Sequence, residues 1–430
     1  MKGRNRLGWL LLGCLVLTPM PMTVTAQEAQ KKLQRPKDFR LKLKGKDNIP
    51  PADLAEATMD AFLIVNWPAT PGERGLPDGK NQIGAPVATV WESWKNVSEI
   101  YRPDGSTPCD WNTVCEIPGD PSKQPTLAQL KQLLGPVDST WIHFLSESRM
   151  IDGQQVVDPE SRVIRYDVRN NLEHFNYVAK NPAGYELFNI DGQELALADP
   201  KFNFNFPVEA MEVKASWRIL DADDDTSKFW TAYGAFYDDN QQLTYARIGL
   251  TAIHVISKAL PDWFWMTYEQ VDIAKDTSRY FLQQKSKEPV GPNPTMNPIV
   301  GPYNQKMQQL LAGTKWANYQ IIGWQYQFTD SNNQPTLLAN MNIETYFPQT
   351  SSCISCHEMA NIGPRKMHRL NFWETQTDGI WGRVGNVDFP AIAKQLAPNM
   401  TFKQMDHVWS LREAQPKASA LKKGQGPLKK

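Results

Sequence analysis

The chain has 430 residues, 46 of them lysine or arginine against 46 aspartates and glutamates, and 41% of its residues are hydrophobic. This balance produces no global field that would draw in nucleic acid or an anionic membrane surface. The apolar content is that of a globular protein with a real core, and the length accommodates two or three domains or one large β-rich one.

The N-terminus reads as an export signal over residues 1–26. Lys2, Arg4 and Arg6 precede an apolar stretch from Leu7 to Leu17, and Val24-Thr25-Ala26 is a small-residue cleavage site. The apolar run is short for a membrane span, and no later segment is apolar enough to be one. A rival reading takes Leu12-Gly13-Cys14 as a lipobox, which would anchor the chain through a lipid on Cys14. Residues 27–50 are a polar, lysine-rich lead-in. With Cys14 leaving in the signal, four cysteines remain in a chain expected in the periplasm. Cys109 and Cys115 are expected to form a disulfide closing a short loop around Trp111.

Leu54 to Trp67 has helical periodicity, and residues 68–86 carry Pro and Gly at loop intervals. Thr126 to Leu134 is a short helix with Thr126 as N-cap and Gly135 as stop. From about residue 160 the period becomes two. Strands are expected over 163–168, 208–220, 228–237, 244–256, 263–271, 319–328 and 336–346, with a helix over 171–179 and a proline-rich crossover loop over 286–302. Residues 388–396 and 401–412 read as helices. The fold class is therefore α+β. A large, mostly antiparallel sandwich or barrel-like region with peripheral helices spans 51–345, a C-terminal cytochrome c-like segment spans 346–414, and a disordered basic tail spans 415–430.

Cys353-Ile354-Ser355-Cys356-His357 is a C-x-x-C-H motif. Two thiols three positions apart share one face of a helical turn, where each can add to a vinyl group of the same porphyrin, and the next residue aims its imidazole at the iron. A thioredoxin-like pair would want a βαβ context, a zinc site would want a second Cys/His pair, and a plain disulfide would not need His357. The expected cofactor is one covalent haem c, attached at Cys353 and Cys356, with His357 as axial ligand.

The motif resembles the c-type cytochromes. Small members place a helix before it, whereas here MNIETYFPQTSS reads as strand and loop, and about 350 residues precede the motif, far more than one haem needs. Over most of residues 160–360 the chain is similar to a group of large bacterial exported cytochrome c-like proteins. The segments that carry the likeness are 208–218 (VEAMEVKASWR), 249–258 (GLTAIHVISK) and 263–269 (WFWMTYE). The resemblance implies one haem and supplies no substrate.

Met400 or Met405 is a candidate sixth ligand. His254, in the apolar strand ARIGLTAIHVIS, reads as a core histidine, a distal ligand or a distal acid–base group. Glu269, beside Trp263, Trp265 and Tyr268, is a second candidate proton carrier. Arg365 and Arg369 are candidate partners of the haem propionates, alongside Lys366 and Arg383. Asp221-Ala222-Asp223-Asp224-Asp225 opens like a calcium loop but has Thr226 and Ala232 where that loop needs Gly and Glu, so it reads as a solvated turn. The resulting expectation is an exported monohaem electron-transfer protein with a periplasmic redox partner. The alternatives are a haem oxidoreductase acting on peroxide, oxygen or a small substrate through an open distal site, and a small-molecule sensor.

Overall fold

Three segments with alternating apolar residues, 211–219, 243–257 and 264–270, form the centre of the computed structural model. The structure describes residues 33, 35, 43, 48–115, 124–146, 150–151, 154–157, 162–275, 293–344, 347–370 and 384–418. The expected export signal with Cys14, and Arg383, lie outside the described residues.

The chain enters through helix α1 (Pro51–Val65), strand β1 (Lys95–Asn96), the turn of helix α2 (Val97–Ile100) and helix α3 (Leu127–Leu134). In α3 the Thr126 side chain accepts from Gln129 N, and Gly135 at φ 83° stops the helix, as the pattern predicted. Strand β2 (Ile142–Phe144) and the pair β3 (Met150–Ile151) and β4 (Gln154–Gln155) follow. Next come β5 (Ile164–Asn170), α4 (Leu172–Ala179), α5 (Ile190–Ala198), β6 (Met211–Ile219), β7 (Thr231–Tyr237), β8 (Leu243–Ser257), β9 (Phe264–Gln270) and α6 (Val271–Lys275). The described remainder holds α7 (Val300–Leu310), β10 (Tyr319–Gln325), α8 (Cys353–Glu358), β11 (Asn361–Ile362), α9 (Phe389–Leu396) and β12 (Lys403–Gln404).

The expected α+β class and mostly antiparallel sheet are present. Eight strands run in the order β1-β5-β6-β8-β7-β2, with β9 on β8 and β10 on β9. Only β2 and β7 pair in parallel among the described strands. β8 is the spine: β6 runs along one edge, while β7 and then β9 share the other.

The two sheet faces differ in chemistry. Val213, Ala215, Ile253, Val255, Met266, Tyr268 and Ile321 pack against Leu54, Phe62 and Val65 of α1, Met307 of α7, and Trp316. Tyr268 caps this contact by donating to Thr58 O at 2.6 Å. The opposite face carries Lys214, His254 and Thr267 in one row across β6, β8 and β9, and Glu212, Ile256, Trp265 and Gln325 in the next. The C-terminal segment covers this second face.

Two expected elements differ. Residues 336–344 are irregular where a strand was expected over 336–346. Side chains capture their backbone donors: Ala339 N donates to Thr295 Oγ1, Asn340 N to Glu344 Oε2 and Met341 N to Glu269 Oε1. Residues 401–412 form β12 and a 3-10 turn (Trp409–Glu413) instead of a helix, because Asp406 and His407 adopt φ of 48° and 68°, which no right-handed helix admits. The loop expected over 286–302 gives way to α7 at Val300. The first residues of the expected tail are tied down by an ion pair of Lys417 with Glu186 at 2.5 Å.

A polar network missed by sequence reasoning pins the β1–β5–β2 region. His143 lies between Asp167 (Nδ1···Oδ2 2.5 Å) and Glu92 (Nε2···Oε1 3.0 Å), and Arg169 Nε donates to Asp167 at 2.7 Å. Trp91 and Trp217 flank the imidazole. Burial alone would raise the Glu92 carboxyl, but His143, Thr89 N–H and Trp230 hold it below its ordinary value. Asp167→Ala should therefore strand the buried Arg169 guanidinium and cost about 3–5 kcal/mol in urea unfolding. A loss below about 1 kcal/mol would show that the network does not support the fold.

Candidate functional site

The C-x-x-C-H motif forms helix α8, which starts where Ser352 caps Ser355 N. One side chain from the sheet holds that start in place. Gln325, at the end of β10, donates through Nε2 to Ser352 Oγ at 2.7 Å and accepts through Oε1 from Ile354 N at 3.1 Å. Cys353 and Cys356 therefore emerge at a fixed point over the second sheet face, one helical turn apart. Neither is in a disulfide. Cys353 is buried near Leu338 O at 3.5 Å, and Cys356 is half-buried, its carbonyl accepting from Trp409 Nε1. Burial pushes the Cys353 thiol well above its ordinary value, so it is held protonated. The other cysteine pair, Cys109 and Cys115, is disulfide-bonded with its Cα atoms 6.1 Å apart, as expected.

His357 follows on the same turn, its ring 4.4 Å from that of Trp265. Its Nδ1 lies 2.7 Å from the His407 carbonyl oxygen, so Nδ1 carries the proton and donates it. Burial depresses the His357 pKa to about 3, which keeps the ring neutral with a lone pair on Nε2. A neutral imidazole whose Nδ1–H is anchored on a carbonyl has the arrangement of a metal ligand with its supporting hydrogen bond.

The His407 carbonyl sits in a tight turn, closed by Val408 N donating to Met405 O at 3.0 Å. Both central residues, Asp406 and His407, have positive φ, at about 1–2 kcal/mol each for side chains of this kind. The Asp406 carboxylate is held by Lys258 and by Phe206 N. The His407 ring is itself buried, with Nε2 2.8 Å from Glu358 Oε2. Burial, with the nearby Lys258 cation, holds that ring neutral, and burial raises the Glu358 carboxyl.

On the sheet side, His254 Nδ1 contacts Thr267 Oγ1 at 2.8 Å, and its Nε2 lies 3.6 Å from Glu344 Oε2. Burial alone would raise the Glu344 carboxyl; its interactions with His254 and Lys214 hold it low. Lys214, His254 and Thr267 occupy the sheet row next to that of Trp265, whose ring lies 4.4 Å from that of His357, so this polar group borders the same site.

The remaining candidates take other places. Glu269 accepts from Asn293 Nδ2 at 3.0 Å and from Met341 N at 2.6 Å, which makes it a buttress for the 336–344 loop. Arg365 pairs with Asp191 at 2.5 Å and Glu194 at 2.9 Å. Arg369 donates to Gln193 Oε1, Leu411 O and His368 O. Both guanidiniums thus bind the chain around α5 and Leu411. Met405 is fully buried in the same apolar cluster as Cys353, and its N–H donates to Ala360 O. Met400 packs with Met359 in a neighbouring cluster. The Asp221–Asp225 turn is bound by Arg162, 2.6 Å from both Asp221 and Asp224.

Sequence reading missed Gln325, Lys214, Glu344 and the His407 carbonyl. Alternation marks the face of Lys214 and Gln325, but only strand register brings them under the motif. Glu344 and the carbonyl come from irregular segments with no pattern.

Glu212 lies in the same row as Trp265, and burial raises its pKa to about 7. The unfolded carboxyl ionises near 4.5, so between that value and 7 the folded state holds the extra proton. Stability therefore falls as pH rises across that window. Glu212→Gln should remove this slope and raise stability at pH 8 by up to about 3 kcal/mol, leaving pH 4 unfolding nearly unchanged. An unaltered pH slope in the variant would assign the titration elsewhere.

No protein-family model matches the chain, no curated protein matches it in sequence, and no solved structure matches its fold.

Proposed function

We propose that this chain is an exported, monohaem c-type redox protein. The observation that carries the reading is the state of the C-x-x-C-H turn. It has two cysteines outside any disulfide on one helical face, and a neutral His357 whose Nδ1–H is fixed on the His407 carbonyl beside Trp265. This donor set fits a haem c: Cys353 and Cys356 would hold the porphyrin by thioether bonds, and His357 Nε2 would ligate the iron. When bound, haem supplies a one-electron ferric–ferrous couple. The chain's residues supply the rest. Gln325 fixes the helix start, and Trp265 limits the tilt of the half-buried imidazole. Electron exchange with a periplasmic partner is the activity that needs only these parts.

A second reading, chemistry on a small ligand opposite His357, is favoured by one observation. The stretch carrying Met405 reaches His357 from its Nδ1 side, through Met405 N–Ala360 O and His407 O. The titratable groups on the sheet side are His254 and Glu344, which suit proton transfer.

Two measurements test these readings. Protein carrying both Cys353→Ala and Cys356→Ala should release all its haem on acid–organic extraction; covalent haem surviving there would overturn the assignment. His254→Gln separates the two activities. An electron carrier with a low-spin haem should keep its spectrum and electron-exchange rate. A high-spin wild type whose reaction with peroxide slows roughly a hundredfold or more in the variant would replace the carrier with the enzyme reading.

A further inference from the structure

Backbone strain in this chain is concentrated beside the haem motif. Among the described residues six non-glycines have positive φ. Asn48, Gln241 and Asn333 are polar residues of exposed turns or loops. Trp263, Asp406 and His407 are buried or nearly so, and one side chain, Lys258, touches Asp406 and lies against the Trp263 ring. Strained backbone persists only where its surroundings over-determine it, and here the determinants are visible. Lys258 Nζ donates to Asp406 Oδ1 at 2.5 Å and to Pro261 O at 2.6 Å, and it lies 5.7 Å from the centre of the Trp263 ring. Asp406 Oδ2 accepts from Phe206 N at 2.7 Å. The Lys258 and Asp406 side chains are 8% and 9% exposed, so solvent screens their pairing little. The residue next to Asp406 offers its carbonyl to His357 Nδ1.

We propose that Lys258 and Asp406 are positioning residues: their ion pair holds the left-handed Asp406–His407 turn so that the His407 carbonyl stays on His357 Nδ1, and it thereby sets the reduction potential of the haem. The inference rests on the haem c reading. A firm Nδ1–H···O=C bond makes the imidazole a stronger donor and favours the ferric state. When the clamp is released the turn relaxes toward ordinary φ, the bond lengthens, and the ferrous state gains.

The sign of the effect separates a clamp from a mere nearby charge. Losing the Lys258 cation would by itself favour ferric iron and lower the potential. Loss of the clamp raises it. Lys258→Met should therefore shift the ferric–ferrous equilibrium of the holoprotein about tenfold toward ferrous, a rise of about 59 mV for a one-electron couple. The charge-neutral double variant Lys258→Met with Asp406→Asn should rise similarly, and Lys258→Arg should stay near wild type. A fall in Lys258→Met, or an unchanged potential in the double variant, overturns the clamp. For a variant that does not fold, Asp406→Asn serves instead. Its amide keeps the Phe206 bond and tolerates a left-handed backbone. By NMR its His357 Nδ1 proton should exchange at least tenfold faster, and unchanged exchange overturns the clamp equally. Wild-type protein without covalent haem would sink the underlying reading instead, and that is seen before any variant is compared.

Discussion

The fold depends on the central sheet being covered on both faces by its own chain. β8 is paired along both edges, and from Ile248 to Ser257 each of its residues is buried. On one face α1 and α7 meet this demand with apolar side chains, and the contact is ordinary helix-on-sheet packing. The other face presents Lys214, His254, Thr267, Glu212 and Gln325; His254 and Thr267 partner each other, and an apolar lid there would leave His254 Nε2 and Gln325 without the partners they have. The segment after residue 336 supplies partners instead: Glu344 for His254, Ser352 and Ile354 N–H for Gln325, and an apolar patch around Cys353 and Ile354 for Ile256 and Trp265. The motif is thus placed by hydrogen bonds to the sheet, with little regular structure of its own.

That arrangement explains a local conflict in the sequence. Residues 401–412 have the spacing of a helix, yet Asp406 and His407 take left-handed conformations that a helix forbids. What wins is the set of contacts a helix would forfeit: Phe206 N–H and Lys258 on Asp406, Met405 N–H on Ala360, and the His407 carbonyl on His357. Local preference is overridden where tertiary partners for charged and buried groups exist, and such places tend to be functional.

Much of the molecule was legible from residues alone. Thr126 and Gly135 announce their helix because capping chemistry is local. The strands from 163 to 271 announce themselves because one face must be apolar. The Cys353–His357 turn and the Cys109–Cys115 pair follow from spacing. Residues 336–344 misled because alternation is necessary for a strand and not sufficient: Thr295, Glu344 and Glu269 side chains take the donors a ladder would use. Glu269, Arg365 and Arg369 stand out in the sequence as charge beside aromatics or near the motif, and the structure gives them partners that lie far away in sequence, Met341 N–H, Asp191 and Leu411 O. The His143 network was invisible for the same reason: Glu92, His143, Asp167 and Arg169 converge only once β1, β2 and β5 are assembled.

The proposed role of the turn at Cys353–His357 is to carry a covalent haem. The most direct test is the visible spectrum of the wild-type protein, reduced and denatured in alkaline pyridine after acid–organic extraction of free haem. The account predicts the absorption band of a haem with both vinyl groups saturated, at one haem per chain. A colourless protein, with Cys353 and Cys356 recovered as free thiols or joined to each other, would contradict it.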